Sequence, residues 1–178
     1  PGGVYHPDID PDDFTTNIDN PYYPMIPGTV WTYHLNKDEG LEIVEVTVTD
    51  DIVEIMGVEC RVLRDIVTLD GELVEDTLDY FAQDSEGNVW YFGETSRDYE
   101  DGFLVDIGGS FLGGVDGAEP GILMLANPTV GTTYRQEFAL AEAEDAGTVL
   151  ALDADVDVPA GSFTNCLQTR DFTPMEPD

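Results

Sequence analysis

The stretch 79–94, DYFAQDSEGNVWYFGE, constrains the fold of this chain more than any other part of the sequence. Residues 78–83 alternate between the two sides of an extended chain, and residues 89–92, VWYF, favour a pleated, half-buried surface. Between them lies the polar cluster DSEGN, a turn composition in which Gly and Asn can adopt positive φ at little cost. Two such runs around a polar turn predict a β-hairpin at the centre of the chain.

Similar runs and turns occur on both sides of this hairpin. Valines at 44, 46 and 48 alternate with polar residues, as in a strand with one buried face, and Asp70-Gly71 predicts a second tight hairpin. Residues 138–145, FALAEAED, favour helix, but the stretch is so short that we interpret it as a strand running into a turn. The sequence therefore predicts an all-β antiparallel domain with a strongly curved sheet or a partly open β-barrel, and a two-sheet β-sandwich as the alternative.

Two segments depart from this pattern. Residues 1–27 are rich in Pro and Asp, which excludes a long helix and predicts an extended N-terminal arm that lies along the domain or reaches a neighbour. Residues 28–178 are then a single β-domain. Residues 108–121, GGSFLGGVDGAEPG, form the longest predicted irregular segment. Such a loop is often functional, and it is equally compatible with a flexible crossing between sheets.

The charge of the chain is strongly one-sided, with 38 Asp and Glu against 6 Lys and Arg and a net charge of −32. Repulsion of this size destabilises a compact state unless salt or bound cations screen it. Nucleic acid and anionic membranes are therefore unfavourable partners, whereas basic partners, divalent cations and salty surroundings fit. No apolar run approaches the length of a transmembrane helix.

Two groups of aspartates are candidate Ca²⁺ ligands, because this ion takes six to eight oxygen ligands from carboxylates and carbonyls. The first group lies in HPDIDPDDF, and the second alternates along a predicted strand, where its members share one face. The candidates are Asp8, Asp10, Asp12, Asp13, Asp153, Asp155 and Asp157. A hydrated acidic surface explains both groups as well. Calcium is the one cofactor that the sequence indicates.

Cysteine and aromatic residues supply two further hypotheses. The chain opens on Pro1 without a leader, which is typical of a processed chain or a fragment, and in an exported protein the pair Cys60 and Cys166 predicts one disulfide. Two separate buried thiols are the alternative. Aromatic side chains on the predicted sheet are candidates for binding an apolar ligand, although packing of the core explains them too. These residues are Trp31, Tyr33, Tyr80, Trp90 and Phe92.

Familiar catalytic motifs are missing from the sequence. It contains no nucleophile elbow, phosphate-binding loop or dinucleotide fingerprint, and its two histidines and two cysteines have poor spacing for zinc. Asp79, Asp84 and Glu94, near Trp90, match the paired carboxylates of a glycosidase, but among 38 acids such a grouping arises easily by chance. The sequence assigns no catalytic residue and predicts a protein that is not an enzyme.

Several segments together resemble a family of uncharacterised exported bacterial all-β proteins. They are NPYYPMIPGTVWTY, GVECRVLRD, DYFAQDSEGNVWYFGE, GVDGAEPG, YRQEF and TPMEPD. The first is also similar to the openings of bacterial lipoproteins that look like curved-sheet lipoprotein carriers. The resemblance covers the chain beyond about residue 20 and implies an all-β fold and an extracytoplasmic location, whether periplasmic, cell-surface or secreted. It brings no activity.

The resemblance also bears on the end of the chain. Family members usually continue past TPMEPD into a closing hairpin, and this sequence stops at Asp178. Either the chain is truncated or its sheet has an open edge there, where another chain can add a strand.

Three functional hypotheses follow. The first is a non-catalytic exported β-domain that acts as an interaction or accessory subunit, with divalent cations stabilising its acidic loops. Its partner, or a second copy, would bind the N-terminal arm or the open C-terminal edge. The second is a carrier of an apolar small molecule or lipid within the curved sheet. The third is a carboxylate-dependent hydrolase.

Overall fold

Antiparallel strands make up most of the structure, a computed structural model that describes residues 5–174. In that range the strands are β1 (Phe14–Thr15), β2 (Val30–Lys37), β3 (Gly40–Ile55), β4 (Val58–Leu69), β5 (Glu72–Asp84), β6 (Val89–Thr95), β7 (Asp98–Glu100), β8 (Phe103–Asp106), β9 (Phe111–Leu112), β10 (Glu119–Met124), β11 (Thr133–Arg135), β12 (Glu137–Phe138), β13 (Ala146–Val158) and β14 (Gly161–Phe172). A 3₁₀ turn spans Pro11–Asp13. No helix within the described residues has the length and apolar character needed to cross a bilayer.

The strands form two sheets. The larger has the order β12-β10-β6-β5-β4-β3-β2, with β1, β7, β8 and β9 attached beside it, and the smaller has the order β11-β13-β14. Every pairing is antiparallel and the sheets are not closed into a barrel, so the predicted all-β antiparallel class is confirmed. Both predicted hairpins are present. Asp70 and Gly71 have φ of 50° and 86°, the two positive values that a type I′ turn requires between β4 and β5.

Apolar side chains pack on both faces of the larger sheet. Phe81 and Tyr91 belong to the core on one side, which we call the first face. Tyr80 and Phe92 belong to the core on the other side, the second face. Because neighbouring residues of a strand point to opposite faces, burial on both sides explains the unbroken aromatic runs of β5 and β6.

The N-terminal residues lie along the domain from Tyr5 onward. Phe14 and Thr15 pair with the end of β5, and Phe14 packs on the second face. Ile18 and Met25, by contrast, are buried in the core of the first face. The extended segment therefore passes from one face of the larger sheet to the other and contributes to both cores.

The predicted disulfide is not formed, because Cys60 and Cys166 are free thiols in the structure. Cys60 lies on β4 of the larger sheet and is fully buried in the second-face core. Cys166 lies on β14 of the smaller sheet, where it is half-buried. An even number of cysteines suggested a pair, but the topology places the two residues in different sheets.

Candidate functional site

A one-residue bulge in β6 determines which side chains meet on the first face. The pairing of β6 with β5 shifts between Tyr80 and Phe81, which leaves Phe92 as an extra residue in β6. In a regular strand Tyr91 and Glu94, three residues apart, would point to opposite faces. The bulge turns Glu94 to the first face, beside Tyr91.

Gly93 makes this bulge possible. Its φ of 143° is a conformation that residues with a side chain rarely adopt. The short strand β9 also passes so close that a Cβ atom on Gly93 would lie 2.3 Å from the carbonyl oxygen of Phe111. The same pairing sets Phe111 directly opposite Glu94, so the aromatic ring and the carboxyl group lie side by side.

The central polar contact of the first face joins three side chains, Asp79, Tyr91 and Glu94, which we call the carboxyl–tyrosine network. The Tyr91 hydroxyl is 2.7 Å from Asp79 Oδ1 and 2.8 Å from Glu94 Oε2. A phenol has one proton to donate, so it donates to one carboxylate at a time. The second contact is a full hydrogen bond only when that carboxyl group itself carries a proton.

Burial raises the pKa of Asp79 to about 7. The hydrogen bond from Tyr91 lowers it, but repulsion from Glu94, Asp65 and Glu75 acts in the same direction as burial. The pKa of Glu94 is also raised, first by burial and then by its carboxylate neighbours. A proton is therefore held within the network at a pH where ordinary carboxyl groups are ionised.

Glu137 on β12 extends this acidic region toward the smaller sheet. Burial and the neighbouring Asp145 raise the pKa of Glu137 to about 7, and Glu94 and Asp79 contribute further repulsion. The charged neighbours that act on these groups are all carboxylates. A positive charge placed among them would therefore be strongly favoured.

A cleft of about 530 Å³ opens beside Glu94. The glycine-rich segment 108–121 supplies Leu112 and Val115 to its walls, and the β12–β13 turn supplies Leu140. The remaining lining residues are Thr95, Ser110, Phe111, Asp116, Ala118, Ala139 and Glu142. The sequence allowed two interpretations of segment 108–121, a functional loop or a flexible crossing between sheets. In the structure this segment lines a cleft.

A row of aromatic rings packs against the ring of Tyr91 in the carboxyl–tyrosine network. The ring of Phe81 stacks on that of Tyr91 with centroids 4.7 Å apart, and Phe111 meets Tyr91 edge-on at 5.4 Å. Tyr23 adds an edge contact to Phe81 at 6.5 Å. Packed rings of this kind hold the Tyr91 hydroxyl in place between its two acceptors.

The structure distributes the five predicted ligand-binding aromatics over two faces of the sheet. Trp31 packs against the first-face core, and Tyr33 is exposed on the edge strand β2. Tyr80, Trp90 and Phe92 belong to the second face. The cleft beside Glu94 is lined by none of the five.

Of the three predicted hydrolase carboxylates, the structure brings Asp79 and Glu94 together and places Asp84 elsewhere. Asp84 ends β5 and closes the central hairpin, where it accepts hydrogen bonds from the Asn88 backbone and from Trp90 Nε1, both at 2.8 Å. Its role is to fix the turn, which is the common task of an Asp at this position.

The predicted calcium ligands are exposed surface residues. Asp10 caps the 3₁₀ turn by accepting a hydrogen bond from the Asp12 backbone, and Asp8 and Asp13 lie beside it in solvent. Asp153, Asp155 and Asp157 lie on an exposed part of β13. Within residues 5–174, no three His, Cys, Asp or Glu side chains are grouped so that they could hold a metal ion. Calcium binding stays a prediction.

Sequence reasoning missed Tyr91, Glu137 and the cleft. The signal was present at Gly93, because an isolated glycine within a strand often marks a bulge or a close approach of another backbone. Both are found here.

Comparison of the chain with protein-family models, curated proteins and solved structures finds no match.

Proposed function

We propose that this chain is a non-catalytic β-domain that binds a small molecule with an apolar body in the cleft beside Glu94. The observation that carries the proposal is the cleft itself, which combines apolar side chains with the carboxyl group of Glu94, while Asp116 and Glu142 also line it. Small-molecule sites are typically clefts of roughly 300–1,000 Å³ with apolar walls and a few oriented polar groups. The cleft has about 530 Å³ and matches that description.

Exposed apolar side chains at the rim support this proposal. Leu140 is 73% exposed and Val115 is 52% exposed, although both line the cleft. Clustered apolar surface on a chain with a net charge of −32 is unfavourable unless something covers it. A bound apolar molecule would cover both side chains and gain the free energy of removing that surface from water.

The geometry of the carboxyl–tyrosine network favours binding over hydrolysis. A glycosidase leaves the space between its two carboxyl groups free for the scissile bond and water. Here the Tyr91 hydroxyl lies between Asp79 and Glu94 and contacts both. The hydrolase hypothesis stays a prediction, and the arrangement of Asp79 and Glu94 does not support it.

Fluorescence titration with the neutral apolar dye N-phenyl-1-naphthylamine tests the proposal. Dye binding should saturate, and Leu140→Glu should weaken it by about tenfold, because a charge in the apolar wall must be desolvated. Val130→Glu is the matched control, since Val130 is also exposed but does not line the cleft. Equal affinity of the dye for both variants, or the absence of saturable binding to the wild type, would refute the proposal.

A second candidate, the interaction subunit, is supported by the hairpin of β13 and β14. Beyond Val149 this hairpin exposes apolar side chains, and within the described residues β14 pairs only with β13, so one edge is open. The exposed apolar residues are Leu150, Leu152, Val156, Val158 and Phe163. Open edges with apolar side chains are sites of strand addition.

Light scattering across a concentration series tests this second candidate for self-association. At high salt, which screens the repulsion between acidic copies, the mass should rise with concentration. Phe163→Asp should abolish the rise, whereas Val130→Asp should not. A strictly monomeric chain under these conditions would exclude pairing between two copies.

A further inference from the structure

We propose that the small molecule bound in the cleft carries a basic nitrogen, and that Glu94 binds it as an ammonium ion while the cleft walls hold its apolar body. This inference rests on the proposed function and names the chemical class of the ligand. Its basis is that Glu94 belongs to the carboxyl–tyrosine network and also lines the cleft.

The two oxygens of Glu94 have different surroundings. Oε2 accepts a hydrogen bond from Tyr91 at 2.8 Å, which orients the carboxyl group. Oε1 makes no hydrogen bond to any residue that the structure describes, and it lies next to Gly109 in the segment that forms the cleft wall, 3.3 Å from where a Cβ atom of that glycine would be. One oxygen is thus fixed by the protein, and the other is left as an acceptor beside the cleft.

Among the residues that the structure describes, no basic side chain forms an ion pair with Glu94. Across residues 5–174, the ion pairs are those of His6 with Glu119, Lys37 with Glu42, and Arg64 with Asp76, all away from the network. The guanidinium of Arg135 lies over the ring of Phe138 at 4.9 Å. The part of the chain from residue 5 to residue 174 thus leaves Glu94 without a cationic partner, and we propose that the ligand provides one.

Carboxyl groups on neighbouring elements repel the negative charge of the network and so favour the binding of a cation there. Asp65 on β4, Glu75 on β5 and Asp145 before β13 all repel a negative charge on Glu94. Glu137 on β12 lies close enough for Glu94 to raise its pKa. An ammonium ion at Glu94 Oε1 would relieve this repulsion in a partly buried site, where attraction between opposite charges is stronger than in water.

An organic ammonium ion suits the cleft better than a bare metal ion. Calcium requires six to eight oxygen ligands around one point, whereas an ammonium group is satisfied by one or two strong acceptors and by water. The apolar substituents of an amine would contact Leu112, Val115 and Leu140, whose side chains have no atoms that coordinate a metal ion. An amphipathic amine uses the charge of Glu94 and the apolar walls together.

Three ligands with the same alkyl chain test the inference: octylamine, octanol and octanoate, each measured by displacement of N-phenyl-1-naphthylamine at a salt concentration that screens long-range attraction. Octylamine should bind at least about tenfold more tightly than octanol, because a hydrogen bond to a charged group is stronger than one between neutral groups. Octanoate should bind most weakly. In Glu94→Gln the preference for the amine should disappear, while octanol binds as before.

The matched control is Glu142→Gln, which removes an exposed carboxyl group from the same cleft. It should leave the preference for octylamine intact. If Glu142→Gln reduces the preference as much as Glu94→Gln does, attraction is general and the inference is overturned. A stronger effect of Ca²⁺ or Mg²⁺ than of octylamine on dye displacement would overturn it as well.

A measurement on the wild type covers the case in which Glu94→Gln does not fold. Between about pH 5 and pH 8 the network loses its proton while octylamine stays charged, so octylamine should bind more tightly as the pH rises and octanol should not change. If octylamine and octanol bind equally at every pH and Leu140→Glu weakens both, the inference that the ligand carries a basic nitrogen is wrong. The proposed function would then still hold. If no ligand binds in a Leu140-dependent way, the proposed function itself is wrong.

Discussion

Asp79 and Glu94 lie directly opposite each other across the β5–β6 ladder, and both contact the hydroxyl of Tyr91. Like charges at opposing positions of neighbouring strands destabilise a sheet. A proton held between the two carboxyl groups removes that repulsion. The stability of the domain should therefore depend on pH through this pair.

The first prediction concerns Asp79→Asn. The folded pKa of about 7 is raised above the unfolded value near 4, so this group stabilises the folded state at low pH, and that stability is lost as the pH rises from about 4 through 7. The Asn variant, which still accepts a hydrogen bond from Tyr91, should lose this dependence. At pH 8 it should be more stable than the wild type by on the order of 2–4 kcal/mol, measured by urea unfolding.

Glu59→Gln provides the control for this experiment. Glu59 is exposed on β4, and its change to an amide removes the same charge from the chain without touching the network. If both variants shift the pH–stability curve equally, net charge alone is responsible, and the pair has no special role in stability.

The second prediction concerns the bulge. Gly93→Ala should reduce the free energy of unfolding by at least about 3 kcal/mol, because the added Cβ would lie 2.3 Å from the Phe111 carbonyl oxygen in a backbone conformation that is already strained. Gly102→Ala separates the two effects. Gly102 has φ of 76° but an open environment, so only the backbone cost of about 1–2 kcal/mol should remain. Similar losses for both variants would contradict the close approach of β9.

The third prediction concerns the central hairpin. Asp84→Ala should lower the free energy of unfolding by about 2–4 kcal/mol, because Asn88 and Trp90 both lose an acceptor. Ser85→Ala, one residue away and exposed, should change stability by less than about 0.5 kcal/mol. Chemical denaturation followed by Trp fluorescence measures both. An Asp84 variant as stable as the Ser85 variant would show that these hydrogen bonds contribute no net stability.

The fourth prediction concerns the two thiols. In the native protein Cys166 should react readily with a thiol reagent, whereas Cys60 should react only on unfolding, because it is fully buried and burial raises its pKa to about 12. A reducing agent should leave the melting temperature unchanged. A large fall on reduction, as the loss of a disulfide closing a long loop would cause, would support the pairing that the cysteine count suggested.

The fifth prediction concerns calcium. The aspartates at 8–13 and 153–157 are exposed, and if they respond only to general screening, Ca²⁺, Mg²⁺ and Na⁺ should raise the midpoint of thermal unfolding equally at constant ionic strength. A ligand at a hundredfold excess over its dissociation constant would instead add about 2.7 kcal/mol. A rise specific to Ca²⁺ that Asp155→Asn removes would establish a calcium site on β13.

Local chemistry was sufficient to predict much of this fold. Asp70-Gly71 forms its predicted turn because both residues tolerate positive φ, and DSEGN closes the central hairpin because Asp84 satisfies the turn with its own side chain. Asp79 and Glu94 were named together with Asp84 because all three lie near Trp90 in the sequence. Asp79 and Glu94 face each other because β6 has one extra residue. The regular alternation of side chains along a strand does not predict this pairing.

Long-range relationships were beyond the reach of the sequence. Cys60 and Cys166 lie in different sheets, and no local pattern reports how two sheets are arranged. The cleft depends on segments about 30 residues apart, the glycine-rich wall and the β12–β13 turn, which meet because β9 and β10 both pair with β6 and β12 pairs with β10. Aromatic side chains were predicted as one group because their type is visible in sequence, whereas the face on which each lies changes with every residue and with the bulge.

The bulge also bears on how this site can be gained or lost during evolution. Loss of the extra residue at Phe92 would leave the tyrosine and the glutamate two positions apart in a regular strand, so both side chains would still lie on the first face. With two residues between them, only the bulge keeps the glutamate beside Tyr91 and the cleft, because a regular strand would turn it to the second face. Relatives of this chain can therefore have the same site in two forms, a regular strand with one intervening residue or a bulged strand with two, and a glycine before the glutamate should accompany the longer form.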